Sequence, residues 1–469
     1  MEKILSEKDI KKREMILSGN MWYVVICISG PLAIYQWMQQ FFRVFDTMIA
    51  AQISPMSVSA VSYLTQISSL VTALGTGLAI GSCIKISEAY GAAEYEDVHL
   101  RVNELFKMCM LIAIIVIIFI PFSAPLLKIM GTPNDFIVEG SVYFSIILVD
   151  CAINLFSTAY IAMERVRGNS GRILKLNLIA FVLKLALSML FVFGFKMGVS
   201  MMAVASVLSD LVVFSAFIYH FCIKNKGDIF SISSYNLRIK RDVTKPMLSV
   251  SYPVIAEKVT FQFGKYIMSA MAAIYGSLVS GALGISNTIG GMITTLQTGF
   301  QDAGASIISQ NVGAGNKRRS LDAFYKLCTI NIIIGIIGYL LATGYLPLIA
   351  SFFDGGDPEF SQIIQDVYIW EAYGSVPLGV FAAASALLYG YGYTKLTLIL
   401  NFSRLFILRI PVLWFFQNFT ELGTHGVGIC MGISNGGTGV LGGIVVIFVI
   451  MHLKKEMAIE EANETSFTK

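Results

Sequence analysis

Apolar runs long enough to cross a bilayer recur along the whole chain. A hydrocarbon core of about 30 Å takes roughly 20 helical residues to span. Twelve segments of that kind can be read, at about 21–51, 58–90, 103–126, 137–163, 172–195, 199–222, 246–275, 281–310, 321–350, 361–388, 395–416 and 426–452. The charged fraction is 14%, where a soluble domain carries roughly 25%, and mean hydropathy is +0.70. The expected fold class is an all-α integral membrane protein with twelve transmembrane helices.

The polar segments between these runs set the organisation. Residues 1–20 form a basic leader with no short apolar core and small-residue cleavage site, so it is expected to be retained rather than cleaved. Residues 223–245 are the longest polar stretch inside the chain, and 453–469 form a charged tail expected to fray. The expected domains are therefore a lobe over 21–222, a linker over 223–245 and a lobe over 246–452. An even helix count puts both termini on one side. Placing them in the cytoplasm assigns 24 of the 34 lysines and arginines to cytoplasmic segments, with only Lys128 and Lys196 in outer loops. That asymmetry follows the positive-inside rule. Seven cysteines lie singly in apolar segments and the four histidines are far apart, which suggests neither disulfides nor a zinc site.

The two halves are related. Sliding the sequence by 222 residues needs no gap from residue 31 to 92: Pro31 meets Pro253, Thr72 meets Thr294, Gly77 meets Gly299, Ser87 meets Ser309, and Gly91-Ala92 meet Gly313-Ala314. The same offset brings Gly168 onto Gly390. Six helices repeated in one direction make a parallel repeat about an axis along the membrane normal.

Pro31 with Phe45-Asp46-Thr47, the run SEAYGAAE ending the second span, SQNVGAGNKRR ending the eighth, and Arg167-Gly168 after the fourth together resemble the multidrug and toxic compound extrusion (MATE) transporters of bacteria. The resemblance covers essentially all twelve helices. It implies two six-helix lobes around a central cleft that opens alternately to either side. The implied activity is export of amphipathic, often cationic, small molecules, driven by inward flow of protons or sodium ions across a bacterial inner membrane. A lipid-embedded monomer is expected, with no cofactor and no nucleic-acid partner.

Ionisable residues in mid-membrane are costly unless paired or hydrated, so each is a functional candidate. Lys85, Glu88, Lys107, Glu164 and Arg165 lie near span ends and can snorkel. Asp46 lies deeper, fifteen residues after Pro31, a proline that removes a helix hydrogen bond and can act as a hinge; Pro253 holds the matching place. The resemblance implies a cation-coupling role for Asp46. The alternative is a local pair with Arg43, one turn back. In the fifth span the family pattern is approximately Leu-Asn-x-x-Leu-Asp, and this chain reads Leu183-Lys184-Leu185-Ala186-Leu187-Ser188. In the sixth, Ser206 stands where relatives often have threonine, with Asp210 one turn on. Two carboxylates and an amide suit sodium; a carboxylate, an ammonium and two hydroxyls do not. Lys184 is therefore expected to occupy the place of a bound cation and to pair with Asp46, as part of the coupling machinery or as a purely structural salt bridge.

The second half offers Glu257 and Lys265 in the seventh span, Asp302 in the eighth, Glu371 in the tenth and Arg404 with Arg409 in the eleventh. Glu371 falls within one residue of Asp150 under the 222 offset. The basic residues can neutralise the acids or bind an anionic group. The leading reading is a cation-coupled antiporter, with protons favoured over sodium. A flippase for lipid-linked oligosaccharide and an exporter of an anionic metabolite are the alternatives. No Ser-His, HExxH or DxD constellation points to an enzyme, no pore-loop signature to a channel, and no GxxxxGK[ST] loop to ATP-driven transport.

Overall fold

Long apolar runs free of internal breakers become helices, and nearly the whole chain does so. The computed structural model describes residues 5–51, 55–129, 134–198, 200–224, 227–232, 238–354 and 356–467. The helices are α1 (Glu7–Ser18), α2 (Met21–Ala51), α3 (Pro55–Gly91), α4 (Tyr95–Ile118), α5 (Ser123–Ile129), α6 (Asn134–Val166), α7 (Ser170–Met189), α8 (Ser200–Phe217), α9 (Arg241–Ala272), α10 (Ser277–Gly313), α11 (Lys317–Gly344), α12 (Leu346–Ser351), α13 (Pro358–Ala372), α14 (Ser375–Gly390), α15 (Thr394–Phe406), α16 (Ile410–Phe419) and α17 (Gly423–Phe467). Among the described residues, nine spans are long and apolar enough to cross a membrane, and the α13–α14 pair, bent by 48°, makes a tenth. Helices α9 and α10, with 32 and 37 residues, reach roughly 48 and 55 Å at 1.5 Å per residue. The fold is an all-α membrane architecture with a two-lobe repeat, as expected.

Helix ends record the repeat in the backbone. Ala93, after α3, has φ 62°, and Gly315, after α10 and 222 residues on, has φ 75°. Glu94 N donates to Ala89 O at 2.9 Å, and Asn316 N to Asn311 O at 2.8 Å, closing the same cap. After α6 and α14 the left-handed residues are Gly168 (φ 70°) and Gly392 (φ 75°). Asn169 N bonds Glu164 O and Tyr393 N bonds Leu388 O, both at 2.7 Å. Gly168 thus corresponds to Gly392, not Gly390. The offset has grown by two residues, because the cap needs its glycine at the left-handed position and not inside the helix.

The contacts divide the chain into two units: Met1–Arg13, Met38–Tyr90 and Glu94–Gln262 in the first; Glu14–Trp37, Gly91–Ala93 and Phe263–Lys469 in the second. Both α2 and α9 change unit a few residues beyond their internal prolines, Pro31 and Pro253. In the first unit the start of α9 packs on α3, where Ser251 Oγ donates to Leu78 O at 3.5 Å. A Cβ added to Gly81 would meet Ser251 N at 2.7 Å, so only glycine admits that approach. Glu257, assigned to the second half on sequence, consequently groups with the first unit.

Two polar segments outside the spans are helical. The leader carries α1, whose Asp9 meets Arg167 at 3.4 Å, whose Lys12 bonds Asn169, and whose Arg13 Nε donates to Tyr90 O at 2.9 Å. Burial lowers the Lys12 ammonium from its usual pKa. Arg167, 3% exposed, also pairs with Asp228 and with Glu164 at 3.4 Å. It lies 4.7 Å from the Phe230 ring centroid. The tail expected to fray continues α17 to Phe467, held where Lys317 reaches Glu460 at 2.5 Å and Glu456 at 3.6 Å.

Candidate functional site

Each unit brings some of its intramembrane charges together. In the first unit, Asp46 of α2 and Lys184 of α7 meet, Nζ donating to Oδ2 at 2.5 Å. Each side chain is 23% exposed, so the pair is half-buried and desolvation strengthens its mutual attraction. Asp210 of α8 accepts from Asn154 Nδ2 of α6 at 2.9 Å, and Asn154 Oδ1 accepts from Thr158 Oγ1 at 3.2 Å. One turn before Asn154 stands Asp150, which feels the charges of Asp210, Lys184 and Asp46. Its Oδ1 is buried without a hydrogen-bond partner. Lys184 thus contacts Asp46 and interacts electrostatically with Asp150 and Asp210.

Ser188 and Ser206 are not part of this contact set. Ser188 is fully buried and its Oγ has no partner, while Ser206 Oγ turns back to Met202 O at 3.3 Å. Asp150 and Asn154 were missed as site residues. The signal was available: with Thr158 they recur at i, i+4 and i+8, a polar stripe on one face of an otherwise apolar helix.

In the second unit, Glu371 at the end of α13 accepts a hydrogen bond from Ser286 of α10. Gly290 leaves it room, since a Cβ there would lie 3.1 Å from Oε1. Arg409, Arg404 and Lys265 all act electrostatically on that carboxylate. Arg404 Nη2 and Arg409 Nη2 both donate to Asn435 Oδ1 of α17, at 2.6 and 3.0 Å. Arg409 Nε donates to Ser434 Oγ at 3.1 Å. Two interruptions of helix adjoin the cluster: Tyr373-Gly374 between α13 and α14, and Ile407–Arg409 between α15 and α16.

Asp302 and Glu257 each contact a polar neighbour. Asp302 Oδ2 accepts from Gln36 Nε2 at 3.0 Å, and Gln36 Oε1 accepts from Thr298 at 3.0 Å, tying α10 to the first part of α2. Glu257 is 4% exposed, with Lys258 Nζ 3.7 Å from Oε1. Pro31 and Pro253 lie inside helices that continue through them.

A family model described as MatE matches residues 31–190 and 253–415. The chain is similar to the "Probable multidrug resistance protein YoeA" of Bacillus subtilis, 22% identical over 378 residues that cover 79% of this chain and 81% of that protein. It is similar also to the "FAD transporter" of Shewanella oneidensis, 20% identical over 411 residues, 86% of this chain and 90% of that one. Among solved structures, a MATE in complex with MaL6 matches with a TM-score of 0.89 at 19% identity, over 96% of this chain and all 100% of that one. A Pyrococcus furiosus transporter of the MOP superfamily, described as having a reverse polarity of its binding pocket, matches with a TM-score of 0.88 at 20% identity over 96% of this chain and 99% of that one. At such identities the structural likeness establishes the fold.

Proposed function

Because this chain belongs to the MatE family of multidrug and toxic compound extrusion transporters, we propose that it is a secondary active antiporter exporting amphipathic small molecules by alternating access, coupled to protons rather than sodium. The observation that carries the proposal is the Asp46–Lys184 contact, with Asp150 and Asp210 around it. A proton arriving at Asp46 removes the charge that holds Lys184, while Asp150 and Asp210 continue to act on the ammonium electrostatically. Protonation thereby changes the packing of α2 against α7. A driving ion must bind two conformations unequally, because equal affinity shifts no population, and breaking an ion pair in one of them supplies that difference. Sodium would have to displace the lysine ammonium from the same oxygen.

The protein is placed by this reading in a bacterial plasma membrane as a monomer with both termini cytoplasmic, its lobes over 21–222 and 246–452 moving about Pro31 and Pro253. Uptake of a fluorescent organic cation by proteoliposomes with imposed gradients tests it. Transport should follow the proton gradient, ignore sodium and fall to background in Asp46→Asn. Sodium-driven transport that survives the substitution sinks the proposal.

A second reading draws on the Arg404–Arg409 pair and on the similarity to a protein named as a FAD transporter. On that reading the cargo is an anionic metabolite, or the chain flips a lipid-linked oligosaccharide.

A further inference from the structure

A basic run in the first unit is fastened by its backbone and keeps its side chains outside. Residues 238–245, which lead into α9, hold four basic residues and one acid, Asp242. Glu104 of α4, 1% exposed, grips that run with one carboxylate oxygen. Lys240 N donates to Oε2 at 3.2 Å, and Thr244 Oγ1 donates to it at 3.0 Å. Lys107, one turn on, donates to Glu104 Oε1 at 2.8 Å and to Arg238 O at 3.0 Å. The buried carboxylate is thus neutralised from its own helix, and the bonds to the run go to main-chain groups and a threonine. Among the described residues, the Lys240, Arg241 and Lys245 side chains are exposed and make no hydrogen bond or ion pair.

The helix that follows continues this outward face. Arg241, Lys245, Leu248 and Tyr252 are all exposed and recur at i, i+4, i+7 and i+11, one narrow stripe of α9. Thr244, Met247 and Ser251 lie beside it on the packed face and are buried. From Lys245 to Tyr252 the stripe changes from cationic to apolar within about 10 Å, at 1.5 Å per residue, and Tyr252 is 70% exposed. Cations at one end and exposed apolar side chains at the other match a membrane boundary. There cations meet headgroups, tyrosine sits at the interface and apolar side chains meet acyl chains. A soluble anion would use the cationic end alone.

We infer that Lys240, Arg241 and Lys245, with Leu248 and Tyr252 beyond them, form a binding surface for an anionic phospholipid of the leaflet that meets residues 238–245. The lipid phosphate takes the three exposed cations, and an acyl chain lies along the apolar part of the stripe. Glu104 acts by position: a run already fixed by its backbone loses less freedom when the lipid binds. The attraction of a basic segment to an anionic leaflet falls off within a Debye length, so the surface works only where α9 enters the membrane. The inference is independent of the cargo and of the coupling ion.

The test is thermal melting of the purified full chain in neutral detergent, with phosphatidylglycerol added to the micelles and phosphatidylcholine of the same acyl chains as reference. Phosphatidylglycerol should raise the wild-type melting temperature by about 2–4 °C above the phosphatidylcholine value at saturation. Added salt should erode that difference. Two variants separate charge from structure. Lys240→Gln, Arg241→Gln and Lys245→Gln together should lose most of the difference between the lipids. Lys240→Arg, Arg241→Lys and Lys245→Arg together keep the charges and should retain it. Equal effects of the two lipids on wild type overturn the inference, as does a glutamine variant that keeps most of the difference. Loss of the difference in both variants overturns it too, because the role would then belong to the local fold and not to the charges. So does an equal rise produced by inorganic phosphate without added lipid, which would assign the cations to a soluble anion.

Discussion

Ile255 presses its backbone against Gly77: a methyl added to Gly77 would meet Ile255 Cα at 2.6 Å and its nitrogen at 2.8 Å. Ala33 stands in the same relation to Gly299, its nitrogen 2.9 Å from where a Cβ would be. Both members of the second pair lie 222 residues from their counterparts in the first. The repeat is therefore a repeat of contacts, and a glycine is required at each because the neighbour is main chain and cannot rotate away. Gly77→Ala should force α3 from α9 and destabilise by about 1–3 kcal/mol. Gly30→Ala, where nothing lies within 4 Å, should be neutral or gain about 0.5–1 kcal/mol from helix propensity. Melting temperatures of the two variants check the contrast, and equal losses would count against the close approach.

The Asp46–Lys184 pair should be energetically coupled. A double-mutant cycle with Asp46→Asn and Lys184→Asn is expected to give about 0.5–3 kcal/mol of interaction energy from thermal unfolding. Lys184→Asn also restores the amide found in the family pattern, and its transport should become responsive to sodium. An intact variant with no sodium effect would speak against the lysine standing in for a cation.

Arg167 sits among Asp9, Glu164 and Asp228. Arg167→Ala strands buried carboxylates and should cost about 3–5 kcal/mol. Arg167→Lys keeps the charge but loses the planar fork, and should cost less. Limited proteolysis at α1 should accelerate in the order wild type, lysine, alanine. A leader equally protected in all three would show that the network does not hold it.

Ala93 and Gly315 share a left-handed backbone, but only one of them is glycine. Replacing Ala93 by glycine removes the Cβ clash of that conformation and should stabilise by about 0.5–1 kcal/mol. Gly315→Ala introduces the clash and should destabilise by a similar amount. No atom lies within 4 Å of a Cβ at Gly315, so its effect is conformational alone. Opposite shifts in melting temperature are expected, and shifts of one sign would sink the account.

Local chemistry decided most of the fold. Apolar length alone marks the spans, because a segment that must cross a bilayer has few ways to fold. The constant offset from Pro31 to Ala92 exposes the repeat, since the glycines and prolines that helix contacts demand are kept where side chains drift. Depth within a span and the departure from the family pattern singled out Asp46 and Lys184, two charges that cannot remain alone in a membrane. Spacing within one segment shows which groups share a face, as Asp150 and Asn154 do. It does not show which faces of distant segments meet. That Arg404 and Arg409 turn to a neutral Asn435 was closed to sequence, because the asparagine lies in a different helix and reads as one polar residue among glycines. The same holds for Arg167, whose partners Asp9 and Asp228 come from the polar leader and the polar linker between the halves. The sequence thus determined how many charges the membrane-spanning chain must accommodate, and the tertiary structure decided which charges answer which. Ion pairing depends on distances that packing sets between helices far apart along the chain.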